Sequence, residues 1–342
     1  MPESILVTGV AGFIGFHLAR RFLADGWHVL GIDNLNDYYD PHLKRARIRE
    51  LKTHPHFQFQ RCDIAGRSAT AEVFAAHHFG FVVHLAGQAG VRYSLEHPHA
   101  YADSNLIGFL NVLEGCRRRG CEHLIYASSS SVYGANARMP LSISDNTDRP
   151  MSFYGATKKA NEVMAYSYAS LFGIQMTGLR FFTVYGPWGR PDMAMWLFTA
   201  AILAGKPIKL FADGRLRRDF TYIDDVTEAV SRLLTRPPRP DPAGEAGRET
   251  GPAPSLLYNV GNSQPVEVNE LVGLIEAAVG RPAVREYLPL QPGDVLETCA
   301  DCTELERAVG FRPNTPLKAG IRRFVEWFQA FDAREPARRP RV

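Results

Sequence analysis

The feature that most constrains this chain is the octapeptide TGVAGFIG at residues 8–15. It sets Gly9, Gly12 and Gly15 between an apolar run, SILVT at 4–8, and a helical periodicity that continues to about residue 25. The first glycine permits a tight turn. The second lets backbone approach a pyrophosphate at a helix N-terminus, and the third lets that helix pack close on the strand. Phe13 and Ile14 begin the helix inside the same loop. The pattern therefore predicts the opening strand–turn–helix unit of a nucleotide-binding sheet.

The rest of the first half keeps that rhythm. Strands are expected at WHVLGI (27–32, ending at Asp33), FQFQR (57–61), FVVHL (81–85), HLIYAS (123–128) and QMTGLRFF (175–182), with helices over 99–119 and 153–172. Strands alternating with helices imply a parallel sheet covered on both faces. The expected fold class is α/β: a Rossmann-type doubly wound parallel sheet over residues 1–186. A smaller mixed α/β C-terminal region, mainly for substrate, is expected over 187–330, where Pro187, Pro191 and the basic GRLRRDF (214–220) break the rhythm. Residues 236–255, rich in Pro, Gly and charge, read as a flexible insertion, and 331–342 as a tail.

Composition narrows the function classes. The chain has 342 residues, 45% hydrophobic and 22% charged, enough for a sizeable core. A net charge of +3 with no basic run argues against nucleic acid. No run of 18 apolar residues spans a membrane, and the N-terminus enters a strand without a signal segment, so a cytoplasmic protein is expected. Of the five cysteines, Cys299 and Cys302 form a CxxC, but no second pair or nearby His completes a metal site. Reduced thiols and no metal are expected.

Asp33 ends the second strand, where a carboxylate accepts both ribose hydroxyls and repels a 2′-phosphate. NAD is therefore expected rather than NADP; the alternative is that Asp33 only caps a turn before Asn34. Asp63 and Ile64, after the third strand, are placed to meet the adenine. Leu85, Ala86 and Gly87, with Gln88, would bring backbone near the nicotinamide half.

Tyr154 and Lys158 are spaced i, i+4 in YGATK, which puts both on one helix face. An ammonium near a phenol favours the phenolate, whose pKa starts near 10. ASSSSVYG (127–134) ends the fifth strand upstream. Buried hydroxyls need partners, and Ser129 is the expected residue to bind the reacting alcohol and relay its proton. Ser128, Ser130 and Ser131 are alternates for other substrate hydroxyls, or a turn cap.

TGVAGFIG, DNLNDYYD (33–40), HLAGQAGVRYS (84–94), SSSSVYG, YGATKKANE (154–162), LRFFTVYGPWGRPDMA (179–194), RRDFTYIDD (217–225) and QPGD (291–294) resemble the UDP-glucuronate 4-epimerases over nearly the whole chain. The resemblance implies a bound NAD that takes a hydride from C4 of a UDP-sugar and returns it to the other face, with Tyr154 as base, Ser129 bridging and Lys158 tuning. It implies that Arg218 holds the diphosphate, with Arg92 and Arg190 as further cations, and that Asp294 meets a ribose hydroxyl. Thr183 stands where galactose-type relatives carry Asn, leaving room for a carboxylate, and Gln291 where they carry Arg; both departures favour a uronate. Related dehydratases and decarboxylases place Glu before the VYG, where this chain has Ser131. The alternatives are a neutral UDP-hexose 4-epimerase, a nucleotide-sugar dehydratase or decarboxylase, a freely exchanging NAD(P) oxidoreductase, or a silent NAD-binding protein. The resemblance also implies a homodimer paired through the helices at 99–119 and 153–172, with Ala160, Ala165 and Ala169 allowing close approach if they do not face the sheet.

Overall fold

The computed structural model describes residues 4–136, 138–239, 253–290 and 295–334. Gln291 and Asp294 lie outside the described residues, as do 240–252 of the insertion and 335–342 of the tail.

The first half follows the expected rhythm closely. It runs β1 (Ser4–Thr8), α1 (Phe13–Ala24), β2 (His28–Asp33), α2 (Pro41–Leu51), β3 (Phe57–Arg61), α3 (Arg67–Ala76) and β4 (Phe81–His84). The short helices α4 (Tyr93–Glu96) and α5 (Pro98–Tyr101) follow, then α6 (Gly108–Arg119), β5 (His123–Ser129), α7 (Phe153–Phe172) and β6 (Gln175–Phe181). The expected continuous helix over 99–119 is interrupted: Ala102–Ile107 winds as a π turn between α5 and α6. Such turns alter which side chain faces inward, and here Asn105 is buried.

The second half contributes β7 (Thr183–Tyr185), α8 (Ala194–Leu203), β8 (Pro207–Phe211), β9 (Arg217–Tyr222), α9 (Ile223–Leu234) and β10 (Ser255–Val260). It closes with β11 (Pro265–Glu267), α10 (Val268–Val279), β12 (Val284–Leu288), α11 (Thr303–Val309) and α12 (Leu317–Arg334).

The main sheet has the strand order β10-β6-β5-β4-β1-β2-β3, all parallel. Both of its faces are covered, which is why β1 is apolar without alternation. Ile5 and Val7 join one core cluster, with α1 and α9, while Leu6 joins the other, with Phe109 of α6 and Ala165 and Ala169 of α7. The expected division after residue 186 is crossed by the packing: β10 pairs with β6 as the seventh strand, and Arg21 of α1 meets Glu228 of α9 at 2.5 Å. Two smaller sheets, β11-β9-β7 and β12-β8, form the rest of the C-terminal region.

Candidate functional site

The strand order reverses direction between β1 and β4, where a crevice opens beyond the strand ends. Gly9 turns there with a φ of +70°, and a Cβ on it would stand 2.7 Å from the Ala86 amide. A Cβ on Gly15 would meet the Gly9 carbonyl at 2.2 Å. Both positions therefore require glycine, as the spacing predicts. Gly12 caps α1. Gly9, Gly12, Phe13, Ile14 and Gly15 all line a cavity of about 460 Å³.

Asp33 sits in this cavity, accepting from the amides of Ala11 (3.1 Å) and Leu35 (2.8 Å). Burial pushes its carboxyl up, and the nearby Lys44 charge and those two amides oppose the shift. Asn34 donates to Asp63 at 3.1 Å, and both line the same cavity with Ile64, Leu85, Ala86 and Gly87. A glycine turn packed too closely for any Cβ, a helix N-terminus and a strand-end carboxylate suit an adenine dinucleotide without a 2′-phosphate.

The side chains expected to do chemistry open onto the same cavity. Ser152 caps α7, accepting from the Gly155 amide at 3.0 Å. Gly155 lets the first turn of α7 press on the serine turn, and Tyr154 and Lys158 follow on the cavity side. Tyr154 is hydrogen-bonded to Ser129. Burial raises the Tyr154 pKa, while the Ser129 bond and the Arg190 charge lower it. Lys158 donates to the Ala127 carbonyl at 2.9 Å, and burial brings its ammonium down to about 8. Arg190 thus adds a second cation near the phenol, beside the Lys158 that the sequence pointed to.

The four serines divide their work. Ser128 is buried and gives its hydroxyl proton to Glu162 at 2.6 Å, so it offers the cavity only lone pairs. Ser129 accepts from the Ser131 amide at 3.2 Å. Ser130 and Ser131 line the cavity beside Thr183.

A second cavity of about 910 Å³ adjoins the first, and Thr183, Arg190 and Arg218 line both. Arg190 is held by Asp192, at 3.0 and 2.5 Å. Arg92 is exposed and reaches only the second cavity, where it lies 4.5 Å over the Phe211 ring. Arg190 and Arg218 thus stand where the two cavities meet, and Arg92 lines the second alone.

Several residues at this site escaped the sequence reading. Asn105, turned inward by the π turn, holds Gln88 through its amide and carbonyl and donates to Thr157. Tyr38 donates to Asp192 at 3.0 Å across the crevice. Buried Arg47 binds the carbonyls of Ala11, Trp188 and Gly189. Glu297 lines the cavity but is paired with Arg217 at 3.3 Å. The partners in each case lie far apart in sequence, so no local spacing announces them. Among the described residues no group of His, Cys, Asp and Glu is placed to hold a metal. Burial raises both thiols of the CxxC, Cys299 to about 11 and Cys302 to about 12, the reverse of a reactive thiolate.

The NAD dependent epimerase/dehydratase family model matches residues 5–246. A probable UDP-glucuronate 4-epimerase of Rhizobium meliloti (strain 1021) is 46% identical over 327 residues, covering 94% of this chain and 96% of that one. UDP-glucuronate 4-epimerase 3 of Arabidopsis thaliana is 44% identical over 333 residues, 96% of this chain and 77% of its own length. The crystal structure of a Bacillus cereus UDP-glucuronic acid 4-epimerase with UDP-glucuronic acid and NAD superposes with a TM-score of 0.86 at 31% identity. It covers 96% of this chain and 100% of that one.

Proposed function

The chain belongs to the NAD dependent epimerase/dehydratase family, and from that premise we propose that it interconverts UDP-glucuronic acid and UDP-galacturonic acid at C4. It is an NAD-dependent nucleotide-sugar 4-epimerase. One observation carries the mechanism: the dinucleotide groove and the Ser129–Tyr154–Lys158 group line a single cavity. A sugar carbon placed there meets a base and a redox cofactor together.

Gly9–Gly15, Asp33, Asn34, Asp63, Ile64 and Leu85–Gly87 would hold NAD, which would supply reversible hydride acceptance at C4. Tyr154 takes the C4 hydroxyl proton and later gives it back. Ser129 bridges the two oxygens. Lys158, whose donation to the Ala127 carbonyl fixes it in the cavity, serves the nicotinamide ribose in this reading. Arg218 and Arg190 hold the anionic diphosphate side, with Arg92 at the outer cavity and Asp294 for a ribose hydroxyl. Thr183 and Ser130, among the described residues, have hydroxyls free to face a C6 carboxylate. Residues 1–186 then serve mainly the cofactor, and 187–330 mainly the nucleotide sugar.

A 4-keto uronate is a β-keto acid, so the pocket must keep its carboxylate out of line with the ketone. Ser131 stands before Val132–Tyr133–Gly134, so no acid at 129–131 serves an elimination. Glu297 is occupied by Arg217. Both points favour epimerisation over dehydration.

We also propose a homodimer. Val163, Tyr166, Leu171 and Phe172 of α7 and Ile107 beside α6 are exposed apolar side chains on neighbouring helices. Ala165 and Ala169 are fully buried against the sheet, so they do not form that face. No helix among the described residues is long and apolar enough to cross a membrane. The free thiols fit the reducing cytoplasm, the proposed location.

The test is incubation of the purified protein with UDP-glucuronic acid and no added NAD, with products read by NMR. UDP-galacturonic acid without CO2 supports the proposal. A UDP-pentose would make it a decarboxylase, and an unchanged spectrum would move the substrate to neutral UDP-hexoses.

A further inference from the structure

Glu162 stands one turn beyond Lys158 and two beyond Tyr154, on the sheet-facing side of α7. Arg180 on β6 donates to both of its carboxylate oxygens at 2.9 Å, through Nε and Nη2. The two side chains are 4% and 2% exposed. Ser128, directly opposite Arg180 in the β5–β6 ladder, adds its hydroxyl to the same carboxylate at 2.6 Å. The Arg180 guanidinium also lies 4.8 Å over the Tyr133 ring and donates to the Ile143 carbonyl at 3.3 Å. Tyr133 is fastened in turn to Asn259 at 2.6 Å.

One buried ion pair thus joins the helix of Tyr154 and Lys158 to the strand of Ser128 and Ser129. It also joins both to the loop after Tyr133, whose Met139 and Leu141 line the cavity shared with Tyr154. Stability alone does not account for such a pair. Desolvating two charges costs several kcal/mol per ion, and well-packed apolar residues often serve as well or better. What an apolar contact lacks is direction. A bidentate fork fixes distance and rotation together.

We propose that Glu162 and Arg180 are positioning residues that hold α7 and the serine strand in the register at which the Tyr154 hydroxyl reaches Ser129, and that keep the sugar wall rigid. The proposal rests on the epimerase reading. A loosened wall would let the 4-keto uronate turn its carboxylate into line with the ketone. The C5–C6 bond then breaks, CO2 leaves, and the electron pair forms an enolate that takes a proton at C5.

The test is Glu162→Gln in the purified full chain. The amide keeps an acceptor for Ser128 but loses the charge and one arm of the fork. Four quantities are read on folded protein: kcat, KM, bound NAD after gel filtration, and the fraction of product that has lost CO2. A fall in kcat of about tenfold or more is expected. KM should stay within about threefold, NAD should be retained, and a UDP-pentose fraction should appear above the background of the parent protein. A lower Tm with kcat and product ratio unchanged would overturn the proposal. Arg180→Lys keeps the charge without the fork and should show the same loss; full activity there would also overturn it. If Glu162→Gln does not fold, Ser128→Ala removes one arm and should shift kcat in the same direction, while an unchanged kcat would count against the proposal. If the parent protein leaves UDP-glucuronic acid untouched, the substrate reading fails instead, and the split between kcat and KM is read with the neutral UDP-hexose it accepts.

Discussion

Gly155 lies against Ser131 so closely that a Cβ on it would stand 2.6 Å from the Ser131 carbonyl oxygen. That contact lets the helix bearing Tyr154 rest on the turn that follows Ser129. Gly155→Ala should push the two apart by a fraction of an ångström or more. A misplacement near 1 Å costs about 10²-fold in rate, so kcat should drop by up to about that factor with NAD still bound. Steady-state kinetics and the cofactor content of the purified variant check this.

Tyr154→Phe removes the proton acceptor while leaving the ring in its place beside Tyr101, with which it packs edge-on. Turnover should fall by about 10³-fold or more, the scale of general acid–base catalysis. NAD should remain, because the groove at Gly9 and Asp33 is untouched. A fully active variant would remove Tyr154 from the mechanism.

Three buried histidines make the fold sensitive to acid. Burial lowers His17 and His84 to about 3 and His123 to about 4, from 6.5. Thr8 accepts from the amides of Leu85 and Ala86, so its own proton goes to His84 Nδ1, which requires the neutral ring. As pH falls through 6.5 the unfolded chain takes up protons that the folded chain refuses. Stability is therefore lost progressively between about pH 6.5 and 3, each histidine contributing a loss of about 1.4 kcal/mol for every pH unit traversed while its folded ring stays neutral. Thermal melts across that range should show Tm falling steadily; a flat Tm down to pH 4 would contradict the burial of these rings.

Thr183 lines both cavities and presents a small hydroxyl. Thr183→Asn should narrow the space for a carboxylate and weaken the preference for the uronate over the neutral UDP-hexose. One lost or mispaired polar contact is worth about 1–3 kcal/mol, or roughly fivefold to 150-fold in the ratio of kcat/KM values. An unchanged ratio would take Thr183 out of sugar recognition.

Val163 is 59% exposed on α7, away from Tyr154 and Lys158. Val163→Glu should leave the chain folded and break the proposed dimer into monomers, seen by light scattering. A variant that keeps the mass of its parent would remove this face from the proposed dimer contact.

The sheet was legible in the residues because its signals are local. A glycine triplet, an apolar strand and a helix period lie within one βα unit, and the YGATK spacing reports a helix face without any tertiary knowledge. Asp33 was legible for the same reason, as the residue that ends the second strand. The π turn was not, because nothing in ADSNLI distinguishes it from the helix on either side. Nor was the ending of the sheet on β10, which comes from beyond the insertion and pairs with β6.

By itself, the sequence determined the fold class and the dinucleotide turn, and it singled out Tyr154, Lys158 and Ser129 as the group proposed to do chemistry. Each depends on neighbours a few positions away, where chain geometry fixes the spacing. The tertiary structure alone decided which charges act on them. Arg190 faces Tyr154, Tyr38 meets Asp192, and Arg180 grips Glu162 only because the chain folds back on itself. Electrostatic and hydrogen-bond energies fall off with distance in space and not along the chain, so these partnerships exist only once the fold has brought their members together.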